Sequence, residues 1–339
     1  MLSNKLIFLG DVMPGENVFH FGRSIRTRYA SNYENLIPQK ISEKLFSEAN
    51  ILIYNFEDSL VDNNFKFDDI SKSVYSSTKD SLKIFPERLK KFVNIANNHF
   101  SEHGYERASQ TILWLKENGF YVIGHTSSPV KFTTDNTNIY FWGVSLIADK
   151  DNTNLYFKST YDSLIDDIDL PKQKDEKDLW ILSIHWGEEY ISYPNISQVK
   201  LATKLADLGF DIIHGHHPHV VQPYQYINNC LVLYSLGNFI FDQNFSHKTQ
   251  KGLVASIDYS DNSFNNLIFF SIIYKKYKPE KLIENKKSNI ELGKKHYISS
   301  TKKRIIKLKY RILMKLEFLP HIFKNNMKVI KFIYERKRK

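Results

Sequence analysis

The sequence has few cysteines and no long apolar segment. Its single cysteine, Cys230, among 339 residues excludes an intrachain disulfide framework and a cysteine-rich zinc module. No apolar run approaches the roughly 20 residues of a membrane-spanning helix. The short run Leu6–Leu9 ends at Gly10 and Asp11, whereas the apolar core of a secretory signal is longer and uninterrupted. The sequence therefore predicts a cytoplasmic protein, in which any metal must be bound by histidine, carboxylate and amide ligands.

The composition is that of a globular protein with a large core. Hydrophobic residues make up 42% of the chain, charged residues 25% and aromatic residues 14%, with 24 Phe and 20 Tyr. Such a chain can bury enough apolar surface to fold, which excludes wholesale disorder.

The charge is distributed very unevenly. Lys275–Lys339 contains 22 Lys and Arg but only 5 Asp and Glu, a net charge of +17. The first 274 residues carry the remaining 25 basic and 32 acidic side chains, a net charge of −7. This asymmetry predicts two parts, an acidic domain at 1–274 and a basic amphipathic helical tail at 275–339.

Short β-branched segments alternate with amphipathic patterns through about the first 240 residues. The predicted strands are Leu6–Gly10, Ile51–Asn55, Val93–Asn97, Tyr121–Gly124, Ile139–Gly143, Leu179–Ile184 and Asp211–Gly215. The predicted helices are Leu36–Ala49, Tyr105–Asn118 and Ser197–Leu208. The alternation favours an α/β fold with its ligand site at the carboxyl ends of the strands.

After Cys230 the predicted strands follow one another without helices. These are Leu231–Tyr234, Gly252–Tyr259 and Leu267–Tyr274, which fit either an antiparallel addition to the sheet or a second packed sheet. The polar segments Asn63–Lys83 and Asp149–Asp178 are predicted to be loops or insertions.

Potential metal ligands directly follow five of the predicted strands. They are Asp11, Glu57, the Asn97-Asn98-His99 group, His185, and the run His216-His217-Pro218-His219 after His214-Gly215. The carboxyl ends of parallel strands meet along one edge of a sheet, so these side chains are expected to converge. Imidazole, carboxylate and amide ligands suit Mn, Zn or Fe ions. A pair of such ions can activate water and bind the oxygens of a phosphoester, and an unligated histidine can protonate the leaving oxygen.

Each motif also has a structural explanation when it is taken alone. Gly10-Asp11 fits a turn, Asn97-Asn98 fits a loop whose amides cap backbone groups, and His185 fits a hydrogen-bonded core histidine. Three histidines within four positions after a buried strand favour a metal role over packing. The combination of all five strand ends is the observation that points to a metal centre.

Six segments of the chain resemble the CapA family, the poly-γ-glutamate capsule synthesis proteins, which are similar to the calcineurin-like metallophosphoesterases. The matching segments begin at Gly10-Asp11-Val12-Met13, Asn55-Phe56-Glu57, Ala96-Asn97-Asn98-His99, His185-Trp186-Gly187, Gly215-His216-His217-Pro218-His219 and Tyr234-Ser235-Leu236-Gly237-Asn238. They occur in the order found in the family and span about residues 5–245. The resemblance implies a four-layer α/β/β/α sandwich with one or two divalent ions at the sheet edge.

The resemblance also implies roles for individual residues. Asp11 corresponds to a ligand of the first metal, Glu57 to the bridging carboxylate, and Asn98 to the amide ligand of the second metal. His99 corresponds to the catalytic histidine of the Asn98-His99 pair. The remaining imidazole ligands would come from His185, His216, His217 and His219. One position departs from the superfamily pattern, because Met13 replaces the histidine of its usual Asp-x-His start, so one ligand is missing.

The basic tail contains an apolar stripe at helical spacing. Its members are Ile305, Leu308, Ile312, Leu316, Leu319 and Phe323, with Met327, Ile330 and Tyr334 continuing beyond Pro320. The stripe fits a helix packed on the domain, or a helix lying in the plane of an anionic membrane. Nucleic-acid binding is the least favoured alternative, because the basic residues are not accompanied by a recognised reading motif.

The sequence leads to a hypothesis with two rivals. The leading hypothesis is a CapA-like metal-dependent hydrolase, peripheral at the inner face of the membrane, that acts on a phosphoester or a related acyl or polymer bond. Its partners would be components of capsule, polyglutamate or envelope polysaccharide synthesis. The first rival is a non-catalytic assembly or scaffold protein that retains the fold, and the second is a nucleic-acid-binding protein or nuclease.

Overall fold

The computed structural model describes residues 4–134, 137–148, 154–260, 263–285, 291–292 and 298–322. The strands are β1 (Asn4–Val12), β2 (Ile51–Phe56), β3 (Ser59–Val61), β4 (Ser76–Thr78), β5 (Lys90–Asn94), β6 (Phe120–Ile123), β7 (Val130–Thr133), β8 (Asn138–Ser145), β9 (Asp178–His185), β10 (Ile212–His216), β11 (Tyr224–Ile227), β12 (Cys230–Leu233), β13 (Asn238–Ile240), β14 (Lys251–Ser260), β15 (Ser263–Lys275) and β16 (Lys278–Asn285). The helices are α1 (Ile25–Tyr29), α2 (Gln39–Phe46), α3 (Ile70–Ser73), α4 (Tyr105–Glu117), α5 (Leu164–Asp167), α6 (Ile196–Asp207) and α7 (Ser300–Ile322), with 3₁₀ turns at Val18–His20, Tyr33–Asn35 and Lys79–Ile84.

Two mixed sheets make up most of the fold. The larger has the order β16-β15-β14-β1-β2-β5-β6, with β13 also paired to β1. Its strands β1, β2, β5 and β6 are parallel, and β14, β15 and β16 add to it in antiparallel fashion. The smaller sheet has the order β11-β12-β10-β9-β8-β7, with parallel strands at its centre. Of the three strands predicted after Cys230, β14 and β15 form the antiparallel addition to the larger sheet, whereas β12 joins the smaller sheet parallel to β10.

The two sheets pack face to face. Alternate residues of β1 point to opposite faces, so that Leu6 and Phe8 lie between the sheets while Ile7 and Leu9 face outward. The aromatic ring of Phe92 from the larger sheet stacks on that of Phe141 from the smaller one, with a centroid distance of 3.8 Å. The buried residues between the sheets form a continuous apolar layer.

Helices cover the outer face of each sheet. On the larger sheet, Leu45 of α2 and Leu115 of α4 pack into one outer core. On the smaller sheet, Leu201 and Leu205 of α6 pack against Trp180 in a second outer core. The predicted four-layer α/β/β/α sandwich is confirmed, and the helical C-terminal extension is α7.

The structure corrects the position of the five strand ends that carry the candidate ligands. The sequence predicted them along one edge of a single parallel sheet, but β1, β2 and β5 belong to the larger sheet and β9 and β10 to the smaller. The two sheets are stacked with the carboxyl ends of these strands at the same end, so the five tips meet across the gap between the sheets rather than in a row.

The end of the sheet also differs from the prediction. The boundary between residues 274 and 275 falls within the β15–β16 hairpin, because β16 pairs with β15 from Lys278 to Asn285. The first part of the predicted helical tail is thus an edge strand, and the helix begins at Ser300. Both segments that were predicted to be loops or insertions contain short elements. These are α3 and β4 within Asn63–Lys83 and α5 within Asp149–Asp178.

The basic tail is described only in part. The predicted stripe positions Phe323, Met327, Ile330 and Tyr334 lie outside the described residues. Within the described ranges, no helix combines the length and the hydropathy needed to cross a membrane.

Candidate metal centre

The polar side chains of the centre lie at the carboxyl ends of β1, β2, β9 and β10. Asp11 lies one residue before the end of β1, Glu57 directly follows β2, and His185 and His216 are the last residues of β9 and β10. Register places His216 beside His185 in the smaller sheet and Asp11 beside Asn55 in the larger. The strand pairing therefore fixes these side chains at one end of the sandwich.

The loop after β10 has an unusual backbone. His217 has φ +95° and His219 has φ +54°, in the left-handed region that side chains other than glycine rarely adopt. Such conformations cost on the order of 1–3 kcal/mol each and are found where a site demands them. Here they place the His219 imidazole against Asp11 and Glu57, and the His217 ring beside that of His185.

Glycine allows the backbone to approach closely beside Asp11. A Cβ atom at Gly10 would lie 1.8 Å from the carbonyl oxygen of Gly237, a position that only glycine can occupy. The next residue, Asp11, donates its backbone N–H to that same carbonyl at 2.9 Å. Gly10 thereby lets β1 lie against the segment that leads to Asn238.

Three of the predicted ligands form a compact buried group. Asp11, Glu57 and His185 are fully buried, and each offers one ligand atom within 4.8 Å of the others. His185 Nδ1 lies 3.6 Å from Glu57 Oε1. This spacing suits side chains that contribute ligands to one metal centre.

His219 completes the group on the side of Asp11. Its Nδ1 lies 3.2 Å from Asp11 Oδ2, and its Nε2 lies 3.8 Å from Glu57 Oε2. The same Nδ1 lies 3.0 Å from Asn238 Oδ1, an amide oxygen that can accept a hydrogen bond from it. A protonated Nδ1 would leave Nε2 of His219 as the ligand atom facing Glu57.

Asn98 and His217 lie beside His185. The amide oxygen of Asn98 lies 2.9 Å from His185 Nε2, and the rings of His185 and His217 are 4.8 Å apart. Together with Glu57 these residues form a second set of ligand types next to the first. Glu57 lies between them, within 3.6 Å of His185 and 3.8 Å of His219, and its bridging role stays a prediction.

His216 is held by protein groups at both ring nitrogens. Its Nδ1 lies 3.2 Å from Asp11 Oδ1, and its Nε2 lies 3.1 Å from the hydroxyl of Ser183. The contact with Asp11 places His216 beside the other candidate ligands, and its role as a ligand stays a prediction.

When no cation is present, the pKa values of the two buried carboxyl groups shift in opposite directions. Burial raises the pKa of Asp11, but hydrogen bonds with His216 and His219 outweigh it and bring that pKa well below its usual value. Burial and the neighbouring charge of Asp11 raise the pKa of Glu57 well above its usual value. Glu57 therefore favours its neutral form beside a charged Asp11.

The imidazoles respond in opposite directions. Burial lowers the pKa of His219, but Glu57 and Asp11 outweigh it and raise that pKa to about 9. Burial and the nearby His217 lower the pKa of His185, and burial lowers the pKa of His217 to about 4. Neutral imidazoles are the form that binds a metal, and a divalent cation would also replace the proton that Glu57 and His219 favour.

An unpaired oxygen marks where the cation fits. Among the described residues, Oε2 of Glu57 is buried and accepts no hydrogen bond, which is costly for a carboxylate. Carboxylate, imidazole and amide donors are those that Mn, Zn and Fe ions accept. The residues present thus fit a divalent metal, with the position of Met13 filled by a buried thioether in place of an imidazole.

His99 lies apart from the ligands and is partly open to solvent. Its side chain is 16% exposed, and Nδ1 lies 2.8 Å from Glu102 Oε2. Its ring stacks on Tyr75 with a centroid distance of 3.9 Å and an interplanar angle of 8°. These two contacts fix the ring and leave Nε2 as the nitrogen available for proton transfer.

Two asparagines organise the centre. Asn55, which sequence reasoning did not assign, donates its amide to both Asp11 Oδ1, at 2.9 Å, and Glu57 Oε1, at 2.7 Å. Asn97 donates to Asn55 Oδ1 at 3.1 Å and accepts from the backbone N–H of His99, as expected of a loop amide that caps backbone groups. The only signal for Asn55 was its place in a segment that carried the resemblance, two residues before Glu57.

Two further residues, Asn238 and Glu102, also contact the candidate site residues. Asn238, which lies in one of the matching segments, contacts His219. Glu102 was missed because a carboxylate three residues after a histidine is common on any helix or turn. The predicted residues Asp11, Glu57, Asn98, His185, His216, His217 and His219 are all brought together, with His99 following Asn98 at the edge.

Comparisons with known proteins bear on the same segments. Residues 5–243 match the family described as bacterial capsule synthesis protein PGA_cap. The chain is 29% identical over 269 residues to the capsule biosynthesis protein CapA of Bacillus anthracis, a match covering 74% of this chain and 62% of that protein. It is 28% identical over 259 residues to the PGA biosynthesis protein CapA of Bacillus subtilis, covering 73% of this chain and 66% of that protein. The chain thus spans less than two thirds of either relative. A solved phosphatase from Mycoplasma pneumoniae aligns at a TM-score of 0.43 and 12% identity, over 84% of this chain and 93% of that one.

Proposed function

Since this chain belongs to the PGA_cap family of bacterial capsule synthesis proteins, as its motifs predicted, we propose that it is a metal-dependent hydrolase of capsule, polyglutamate or envelope polysaccharide synthesis. Its substrate would be a phosphoester or a related acyl or polymer bond. One observation carries the proposal: Asp11, Glu57 and His185, far apart in the sequence, meet in a buried group that fits a divalent cation.

The candidate site residues would have three roles, namely binding a first ion, binding a second ion and transferring a proton. Asp11, Glu57 and His219 would hold one ion, and Glu57 with Asn98, His185 and His217 would hold a second. When bound, such ions supply Lewis-acid activation of water and of the phosphoryl oxygens.

His99 is the group placed to transfer a proton. Its Nδ1 is held by Glu102, so its Nε2 would give a proton to the leaving oxygen. The stack on Tyr75 keeps the ring from rotating away from that position. The catalytic role of Asn98 would be limited to placing His99 and contributing its amide oxygen to the second ion.

A second candidate function rests on Met13. In the superfamily pattern a histidine ligand stands at this position, and here the side chain is a fully buried methionine. A centre with one ligand fewer fits a scaffold protein of the synthesis machinery that retains the fold and one structural ion. Its proposed partners are the other components of capsule or polysaccharide synthesis, and its location in the cytoplasm at the inner face of the membrane stays a prediction.

Turnover separates the two candidates. We expect the purified chain to hydrolyse p-nitrophenyl phosphate with Mn²⁺ or Zn²⁺. The His219→Ala variant should lose activity by about a hundredfold or more, because metal ions supply several kcal/mol of transition-state stabilisation. His247→Ala, which removes an exposed histidine, is the matched control and should leave the rate unchanged.

The opposite results would favour the scaffold. Under that reading, Asp11→Ala and His99→Ala variants fold, as judged by circular dichroism, and still complement a capsule defect. Hydrolysis that is equal in the wild type and in folded His219→Ala would contradict the enzyme proposal.

A further inference from the structure

One face of α7 is apolar and points away from the protein. Ile305, Leu308, Ile312 and Leu316 are 62%, 58%, 48% and 54% exposed. Their spacing of three, four and four residues places them in one stripe along the helix. Soluble proteins seldom present contiguous aliphatic side chains in this way, so the stripe calls for a partner.

The opposite face of α7 is fixed to the domain. Tyr310 is buried and stacks on Tyr190 with a centroid distance of 4.6 Å and an angle of 10°. Lys303 and Lys307 both pair with Glu188, the latter at 2.7 Å. These contacts set the rotation of the helix, so the outward direction of the stripe follows from packing on its other side.

Basic residues border the stripe on both sides. At about 100° per residue, Arg304, Arg311 and Lys315 fall along one border of the stripe. Lys302 and Lys309 fall along the other border, and all five side chains are exposed. From Ser300 to Leu316 the sequence contains no acidic residue, and seven more Lys and Arg follow Phe323.

We propose that this face of α7 docks on the surface of an anionic phospholipid bilayer. The helix would lie in the plane of the membrane, with its four aliphatic side chains among the acyl chains and its basic borders at the phosphate headgroups. A bilayer is the partner that offers an apolar layer flanked by negative charge on both sides of a helix.

A nucleic acid fits this surface less well. Phosphates would pair with the basic borders but would leave the aliphatic stripe between them in water. Single-stranded nucleic acid is bound by aromatic side chains that stack with bases, whereas the four exposed stripe residues of α7 are all aliphatic. The aliphatic residues are therefore what distinguishes a lipid surface from a phosphate backbone.

The docking contact adjoins the metal centre. Tyr190, which stacks on α7, donates its backbone N–H to the carbonyl of Pro218 at 2.8 Å, between His217 and His219. A docked helix would hold this loop about one helix diameter, roughly 10 Å, from the lipid. The inference goes beyond the proposed function and does not depend on it, because docking is measured without turnover.

Vesicle flotation of the full chain tests the proposal. The probes are phosphatidylcholine vesicles with and without phosphatidylglycerol, at low and high salt. The stripe variant combines Ile305→Ser, Leu308→Ser, Ile312→Ser and Leu316→Ser. The border variant combines Lys302→Gln, Lys309→Gln and Lys315→Gln. The matched control changes an exposed isoleucine and two exposed lysines of α6, by Ile196→Ser, Lys200→Gln and Lys204→Gln.

We expect the wild type and the α6 control to float with anionic vesicles, and salt to weaken that binding. The stripe variant should lose about tenfold or more in vesicle affinity, because the apolar contact is removed. The border variant should lose about fivefold for each lysine. Circular dichroism confirms in each case that the helix and the domain remain folded.

Two results would overturn the proposal. One is wild-type chain that stays unbound with anionic vesicles at low salt. The other is a folded stripe variant that floats as well as the wild type, since charge alone would then explain the binding. Tight salt-sensitive binding of DNA in place of vesicles would assign the surface to nucleic acid instead.

Discussion

Two carboxylates removed from water determine the chemistry of the centre. Asp11 and Glu57 are fully buried, and one amide, that of Asn55, bridges them. Charges buried in this way are costly unless they are paired or bind a cation. Burial and the charge of Asp11 raise the pKa of Glu57, and the two carboxylates raise that of His219, so protonation of both groups is favoured in the absence of a cation. A divalent ion would take the place of those protons.

Replacing Glu102 tests the position of His99 without touching the ligands. We expect Glu102→Gln to retain its metal but to hydrolyse p-nitrophenyl phosphate roughly tenfold to a hundredfold more slowly, because the imidazole loses the carboxylate that orients it. Metal content and rate are the measurements.

Glu106→Gln is the control, because Glu106 is exposed at the start of α4. It should match the wild type in rate. A folded, metal-loaded Glu102→Gln enzyme with the wild-type rate would show that the carboxylate does not position His99.

At the scale of elements, the centre depends on how closely β1 approaches the segment after β12. Gly10 has no Cβ, so the carbonyl of Gly237 can accept from the N–H of Asp11. The strand β13 then pairs with β1 at Asp11 and brings Asn238 to His219. One glycine thus serves both the sheet and the metal centre.

Gly10→Ala should therefore destabilise the protein severely. The added methyl group would meet the carbonyl of Gly237 at 1.8 Å, and relief requires movement of backbone in two strands. We expect a loss of about 3 kcal/mol or more in the free energy of unfolding, measured by urea denaturation.

Gly104→Ala is the comparison, because a Cβ there meets nothing within 4 Å although φ is +85°. It should cost only about 1–2 kcal/mol, the penalty of the left-handed conformation. Equal stability of Gly10→Ala and the wild type would mean that the strands do not approach as described.

Strand ends were predictable because the apolar runs stop at polar residues. The run Leu6–Leu9 stops at Gly10-Asp11, and the run Leu179–Ile184 stops at His185. Assignment of these strands to two sheets was not predictable from the runs themselves, because strands buried on both faces carry no mark of the sheet they join. The four-layer arrangement came from the resemblance to a family.

Side-chain contacts between distant segments could not be predicted from the sequence. The bridging amide of Asn55 and the stack of Tyr75 on His99 depend on backbone positions far apart in the chain. In α7 the stripe was predictable from its spacing, but the face that packs was not. Tyr310 on the opposite face is also apolar, and its contact with Tyr190 decides the orientation.

At the scale of the whole molecule, an acidic body with a net charge of −7 carries a basic extension of +17. The body encloses the candidate metal centre, and the extension presents its apolar stripe on the outer surface. A ligand that binds only the folded chain stabilises it, by about 2.7 kcal/mol when its free concentration is one hundred times Kd. We therefore expect the intact chain to bind a defined number of metal ions per molecule.

Elemental analysis of the full chain tests the metal centre most directly. The chain is loaded with Mn²⁺ or Zn²⁺, and excess ion is removed by gel filtration, for the wild type, for Glu57→Gln and for the control Glu48→Gln, an exposed carboxylate in an ion pair with Lys5. We predict one or two divalent ions per chain in the wild type and in the control, and a loss of bound ion in Glu57→Gln, because Glu57 is shared by both ligand sets. A wild-type chain that retains no divalent ion, or a folded Glu57→Gln variant that retains as much as the wild type, would contradict the account.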